Sequence, residues 1–169
     1  YTTLFRSNIR FIDLDENSGH AHARNIALEE VETPYFMFLD ADDELASYAI
    51  TFYLEKFNNT DGLIAPIHSF TTQRPQFVDL DRVRVEYFNA KGNINSFLRK
   101  QSACNIIFRT AIVRAHHIRF NENLNTYVDW SFVLEYMKYV NKFVRIFNFP
   151  FYFRGEVYDP FETLTLSEQ

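Results

Sequence analysis

Five consecutive apolar residues, Tyr35-Phe36-Met37-Phe38-Leu39, run directly into Asp40-Ala41-Asp42-Asp43, and no other stretch limits the fold of this chain so strongly. A continuous apolar run of this length reads as a strand buried on both faces, the pattern of a parallel sheet covered by helices. Upstream, His20 to Glu32 carries Ala23, Ile26, Ala27 and Val31 at helical spacing. Thr33-Pro34 ends that segment because proline cannot continue a helix. Earlier still, Ile9 to Leu14 alternates apolar and polar residues and stops at the turn-rich Asp15 to Gly19, which predicts a strand and a loop. Strand, helix and strand in this order predict a right-handed parallel unit whose binding edge lies at the carboxyl ends of the strands. The aspartates stand at that edge.

Beyond the acidic cluster, Leu45 to Phe57 reads as a helix, Asn58 to Gly62 as a turn and Leu63 to Phe70 as a strand. Residues 71–91 are irregular and charged, with strand-like pieces such as Arg82 to Tyr87, and suit either a lid over the site or plain surface. The pattern then predicts a short strand over Asn105–Phe108, helices over Thr110–His116 and Tyr127–Tyr139, and strands over Phe143–Phe147 and Phe151–Arg154. The 169 residues, nearly half of them apolar, fit a single domain with one sizeable core.

A formal charge of −5 argues against a nucleic-acid partner, which calls for a clustered basic surface. Cys104 is the only cysteine, so no disulfide forms within the chain, and its Ala-Cys-Asn-Ile setting reads as a small buried position. No apolar stretch is long enough to span a bilayer, and the covered part is expected to be soluble. The frequent phenylalanines read first as core. His20, His22, His68, His116 and His117 form no metal-ligand spacing, since two histidines two apart on a helix face different ways; His116-His117 reads as an exposed helix end.

Three carboxylates at the end of an apolar strand repel one another unless something compensates their charge. A divalent cation does so: carboxylate oxygens are hard ligands for magnesium or manganese, and a metal held by one or two of them keeps positions open for phosphate oxygens. The bland alternative is that Asp40 or Asp43 caps the next helix, which accounts for one carboxylate but not three. A haloacid-dehalogenase-type phosphatase would carry Thr or Val where Glu44 stands. An EF-hand loop would need a central glycine and a terminal Glu, both missing from Asp40 to Thr51.

Asn17-Ser18-Gly19, Ala23-Arg24-Asn25 and Phe36-Met37-Phe38-Leu39-Asp40-Ala41-Asp42-Asp43, in this order and spacing, resemble the family 2 glycosyltransferases of the GT-A fold. Asn105 to Arg109, Ile118-Arg119-Phe120 before Asn121-Glu122, and Val128-Asp129-Trp130 resemble the family's second half. The resemblance implies an α/β, Rossmann-like domain with a mixed, mainly parallel sheet flanked by helices. Residues 1–70 would form the nucleotide- and metal-binding part and 71–169 the acceptor-binding part. The family's opening strands and its Asp-rich base-binding loop are not matched, so the domain is expected to be partial, with about sixty further residues ahead of it.

The resemblance further implies that Asp42 is the foremost ligand of a divalent metal, Mn2+ or Mg2+. Asp40 would reach the ribose or a metal-bound water, Asp43 would face the donor sugar, and Arg24 would lie near the donor. Asp129 matches the general base, although Val128 stands where the family usually has a second acid, and Trp130 lines the acceptor pocket or packs. The bland readings are a surface salt bridge for Arg24 and a helix cap for Asp129.

The implied reaction is an inverting transfer from a nucleotide sugar, expected to be a UDP-sugar, to a carbohydrate or polyol-phosphate acceptor in cell-wall or surface polysaccharide synthesis. The later segments resemble those of wall teichoic acid or capsule polymer enzymes. The expected location is cytoplasmic, at the inner membrane face if parts outside this chain anchor it. The contrasting expectation is a degenerate, non-catalytic carbohydrate-binding or assembly domain of a larger wall-polymer protein.

Overall fold

The computed structural model describes residues 9–57, 59–69, 79–89, 102–148 and 151–155. Two sheets organise them. The larger has five strands in the order β1 (Tyr35–Phe36), β6 (Ile106–Arg109), β3 (Gly62–Ile64), β7 (Lys142–Ile146) and β5 (Val85–Asn89). The smaller has β8 (Tyr152–Arg154) between β2 (Glu44–Leu45) and β4 (Ile67–Ser69). Helices α1 (Gly19–Glu30), α2 (Ala49–Phe57), α3 (Thr110–Ala115) and α4 (Val128–Met137) complete the architecture. Strands from residues 1–70 and from 71–169 are interleaved in both sheets.

Period-two alternation splits the core into two layers across the large sheet. Ile106, Phe108, Ile64 and Phe143 pack with Phe132, Tyr136 and Met137 of α4 and with Phe120. Their neighbours Ile107, Leu63 and Val144 pack the opposite way, against Phe52, Tyr53 and Phe57 of α2 and against Phe151. Aromatic geometry reinforces the first layer: Phe108 meets Phe132 and Tyr136 edge-on, and Phe120 stacks on Phe132 at 4.1 Å. A helix layer on each face of a sheet is the α/β arrangement expected from the sequence.

Several expectations are corrected. Residues 9–14 form no strand; Ile9, Phe11 and Ile12 are exposed, and alternation alone holds no strand without a paired backbone. The apolar run at 35–39 is paired only over Tyr35–Phe36, where β1 lies antiparallel to β6, and Leu39 is half exposed. Strand β6 thus enters between β1 and β3, antiparallel to both, and only β3–β7 and β4–β8 are parallel. The sheets are mixed, but mainly antiparallel among the described residues.

Helix α2 begins at Ala49 and not at Leu45, because Glu44 and Leu45 are drawn into a ladder with Phe153 and Tyr152. The strand expected over 63–70 is split at Ala65-Pro66 into β3 and β4, which serve different sheets. Of the irregular segment, 79–89 supplies a 3-10 turn at Leu80–Arg82 and then β5, antiparallel to β7; the rest of the lid expectation falls outside the described residues. Among the described residues no helix is long and apolar enough to cross a membrane.

Candidate active site

The apolar run ends in a tight turn in which the Asp43 N–H donates to the Asp40 carbonyl at 3.0 Å. The turn is held by strand β8, which lies far away in sequence. The Gly155 N–H donates to Asp43 Oδ1 at 2.8 Å, and the Tyr152 hydroxyl donates to Asp43 Oδ2 while accepting from the Asp40 N–H at 3.4 Å. Gly155 lies so close that a Cβ there would stand 2.0 Å from the Asp42 carbonyl oxygen. Asp43 is therefore no helix cap, and its two oxygens accept hydrogen bonds from Tyr152 and Gly155 at the end of β8. Burial, then the bond to Asp43, pushes the Tyr152 hydroxyl far above its ordinary pKa, so it remains a donor.

Helix α1 brings Arg24 to the same place. Next to it in the sequence, the buried Asn25 donates to the Phe120 carbonyl at 3.0 Å and to Glu122 at 2.7 Å, and it accepts from the Phe120 N–H at 2.9 Å. This pins the helix to the 120s loop and fixes the direction of Arg24. One guanidinium nitrogen donates to Asp40 Oδ1 at 2.7 Å and the other to Asp129 Oδ1. The guanidinium lies 5.5 Å from the Phe38 ring centroid and 5.4 Å from that of Phe120, within cation–π range.

With 13% of its side chain exposed, Arg24 forms an internal bridge and not a surface salt bridge. Burial opposes its charge, but Asp129 and the hydrogen bond to Asp40 outweigh burial and keep it protonated. Burial likewise pushes Asp40 up, while the bond from Arg24 overcomes it and holds the carboxyl below its ordinary range.

Asp129 occupies the first turn of α4 but does not cap it; the N-cap is Tyr127, which makes no side-chain capping bond. Its second oxygen accepts from Ser102 Oγ and from the Ala103 N–H, each at 3.1 Å. Tyr127 adopts a left-handed φ of 60°, unusual for a bulky residue and typical of functional sites. Cys104 is buried as expected, but it is more than core: its thiol donates to Asp40 Oδ2 at 3.2 Å. Burial first, and then Asp40, push that thiol up to about 11, so it stays protonated and unreactive.

Asp42 is treated differently from all of these. Its carboxylate is exposed and has no hydrogen bond or ion pair among the described residues. No three His, Cys, Asp or Glu side chains there could hold a metal by themselves. The described residues can thus supply one or two hard oxygen ligands, with Asp42 foremost because both Asp40 oxygens already accept hydrogen bonds. A metal completed by phosphate oxygens and water fits that donor set; one enclosed by protein ligands does not.

Two hollows meet at His20. One of about 330 Å³ is walled by Arg24, Phe38, Asp40 and Ala41; the other, of about 490 Å³, by Ser102, Thr126, Asp129, Trp130 and Arg154. Arg24 connects them through its two carboxylates. The structure thus brings Arg24, Asp40 and Asp129 into one network and leaves Asp42 exposed outside it. Sequence reasoning missed Ser102, Tyr152 and Gly155, which reach the turn or Asp129 from distant segments, and it assigned His20 no role. His22 instead pairs with Glu122 at 3.1 Å, and His116 is an exposed helix end, as expected, stacked on Tyr139.

Comparison with known proteins gives this geometry its context. The sequence model of Glycosyl transferase family 2 matches residues 1–119. The chain is 98% identical over 165 residues to a teichoic acid poly(glycerol phosphate) polymerase of Staphylococcus epidermidis (strain ATCC 35984), covering 98% of the chain and 23% of that protein. It therefore spans about a quarter of the length of that relative.

Among solved structures, S. aureus TarS 1–349 superimposes with a TM-score of 0.64 at 22% identity, over 90% of this chain and 45% of that one. The same protein with UDP gives 0.62 at 23% over 83% and 41%. With UDP-GlcNAc it gives 0.63 at 20% over 82% and 39%. Identities this low establish a shared fold.

Proposed function

Because the chain belongs to glycosyl transferase family 2, we propose that it catalyses inverting, metal-dependent transfer of a sugar from a UDP-sugar to a hydroxyl of a teichoic acid polymer. The observation that carries this reading is Arg24, which joins Asp40 and Asp129 while Asp42 stays open beside them. Binding of UDP and UDP-GlcNAc by a protein of the same fold, and the polymerase name of the 98% identical relative, support the donor and acceptor classes. The reaction belongs on the cytoplasmic side of the membrane, where nucleotide sugars are available.

Asp42 would hold a divalent cation, Mn2+ or Mg2+, with Asp40 bordering it. When bound, that ion supplies positive charge against the departing nucleoside diphosphate. Asp40, kept ionised by Arg24, is an acceptor for ribose hydroxyls or a water at the same edge. Asp129 would be the carboxylate that accepts the acceptor proton, a role supported by its place on the larger hollow.

Asp129 accepts three hydrogen bonds, from Arg24, from Ser102 Oγ and from the Ala103 N–H, which fix the orientation of its carboxylate.

Thermal unfolding of the full-length polypeptide with UDP and manganese, against either alone and against Asp42→Asn, tests the donor half. Ligand at about a hundred times its dissociation constant adds roughly 2.7 kcal/mol. A manganese-dependent shift that disappears in the variant is expected. Sugar transfer from UDP-GlcNAc or UDP-glucose to a glycerol phosphate oligomer tests the rest; binding of donor without transfer to any acceptor would favour a non-catalytic domain.

A further inference from the structure

We infer that Ser102 is a positioning residue for Asp129: together with the Ala103 N–H, its hydroxyl fills Oδ2 of that carboxylate, so that Oδ1 is the atom that takes the acceptor proton. The inference rests on the transferase reading above and deepens it, naming the reacting oxygen and a residue that acts through it.

A carboxylate has about four lone-pair sites, two on each oxygen. Oδ2 of Asp129 accepts twice, from Ser102 Oγ and from the Ala103 N–H, each at 3.1 Å. Oδ1 accepts only from Arg24 among the described residues. The remaining site is therefore on Oδ1. In the transfer the acceptor oxygen bonds to the anomeric carbon, its proton passes to Oδ1, and the nucleoside diphosphate leaves with the bonding pair.

The direction of the Ser102 hydroxyl follows from its neighbours. Its oxygen accepts from the Cys104 N–H at 3.2 Å, and a serine has a single proton to give. A backbone N–H on one side and a carboxylate oxygen on the other admit one arrangement, in which Oγ accepts from the first and donates to the second. No Ser102 proton is left over for a substrate.

The arm that carries Ser102 is fixed at several points. Ala103 and Cys104 are fully buried, and β6 begins two residues beyond Cys104. The Ile106 N–H donates to the Ala103 carbonyl at 3.4 Å, Asn105 Nδ2 to the Ala65 carbonyl at 2.6 Å, and the Cys104 thiol to Asp40 Oδ2 at 3.2 Å. Residues 102–104 thus meet both Asp40 and Asp129 on the oxygen that Arg24 does not touch. A contact to Oδ1 alone would let the Asp129 carboxylate pivot about it; the two donors on Oδ2 remove that freedom, and small misplacements of a reacting group are costly in rate.

The rival role for Ser102 is a direct contact with the acceptor, since it walls the same hollow as Asp129. Steady-state sugar transfer by the full-length polypeptide, from UDP-GlcNAc and from UDP-glucose to a glycerol phosphate oligomer, separates the two in wild type, Ser102→Ala and Ser102→Thr. Ser102→Ala should lower kcat about tenfold, the loss expected for one hydrogen bond to a charged group, with KM for donor and acceptor within about twofold. Ser102→Thr keeps the hydroxyl and should recover most of that loss. The UDP–manganese thermal shift should be the same in all three.

An unchanged kcat in Ser102→Ala would overturn the inference. So would a loss carried by acceptor KM, which would make Ser102 a substrate contact, or a loss that follows a lowered unfolding temperature and is shared by Ser102→Thr, which would make its role structural. These outcomes leave the transferase reading standing. Absence of transfer by wild type from either donor overturns the inference together with that reading.

Discussion

The acidic turn at 40–43 and the first turn of α4 both present an aspartate to the same region, yet the protein treats the two in opposite ways. Asp129 is held by a guanidinium, a hydroxyl and a backbone N–H, whereas Asp42 is left exposed with none of these. A carboxylate compensated by its own chain is poised for an interaction that must compete with that chain. One left open is available to a charge arriving from outside. On the proposed reading, the same side chain would serve as the base in one place and as an open ligand two residues beyond Asp40 in the other.

The largest effect should come from removing the base while keeping its shape. Asp129→Asn should lower kcat by about 10²–10⁴-fold and leave the UDP–manganese thermal shift in place. Loss of that shift instead would make Asp129 a strut of the donor site and erase the contrast. Next, Arg24→Gln leaves Asp129 and Asp40 without their shared cation and should cost about 3 kcal/mol in denaturant unfolding. This is the low end for a broken buried pair because Asp40 is 42% exposed. A cost additive with that of Asp129→Asn would mean the two residues are not coupled.

Gly155→Ala drives a methyl group into the Asp42 carbonyl and should destabilise by about 1–3 kcal/mol. If donor affinity is unaffected, the turn is not being shaped by β8. Acid titration sharpens the comparison further. The folded-state pKa of Asp40 is depressed below its unfolded value, so its contribution to stability is present above the ordinary carboxylate pKa near 4 and is lost as pH falls through the folded value. The stability advantage of wild type over Arg24→Gln should therefore narrow below about pH 4; a constant gap down to lower pH would remove Asp40 from the network.

The smallest effect on stability belongs to Asp42→Asn, within about 0.5 kcal/mol, as expected for an exposed carboxylate with no hydrogen bond or ion pair among the described residues. Its manganese-dependent thermal shift should nevertheless vanish. An appreciable change in the unfolding midpoint without ligand would show that the open carboxylate has a structural partner.

These residues also show what was legible in the chain. Asp40 and Asp42 stood out because an apolar run stopped by acids is a local pattern, whereas Arg24 and Asp129 stood out only through the resemblance of their segments to those of the family. Helices α1, α3 and α4 were readable from local pattern too, and their ends fell within a few residues of expectation. Tyr152 and Gly155 were not readable. Their work depends on meeting Asp43 across more than a hundred residues, and nothing nearby in the chain distinguishes a core tyrosine from one whose hydroxyl holds a turn.

Residues 9–14 failed in the opposite direction, because local alternation is sufficient for the pattern but not for the ladder. Leu45 was misassigned to a helix since its partner, Tyr152, lies in the same distant strand.

The position of β8 has a further consequence, for the order in which the molecule comes into being. Asp43 and Gly155 are separated by 112 positions, and at about 5–20 residues per second a ribosome needs several seconds to travel between them. Through that interval the nascent chain can form α1 and α2, but its acidic turn has no strand to lean on. Closure of so distant a contact is slow compared with local structure. The acidic turn is thus fixed later than the local structure around it, and on the proposed reading an emerging polypeptide would capture no nucleotide before β8 is in place.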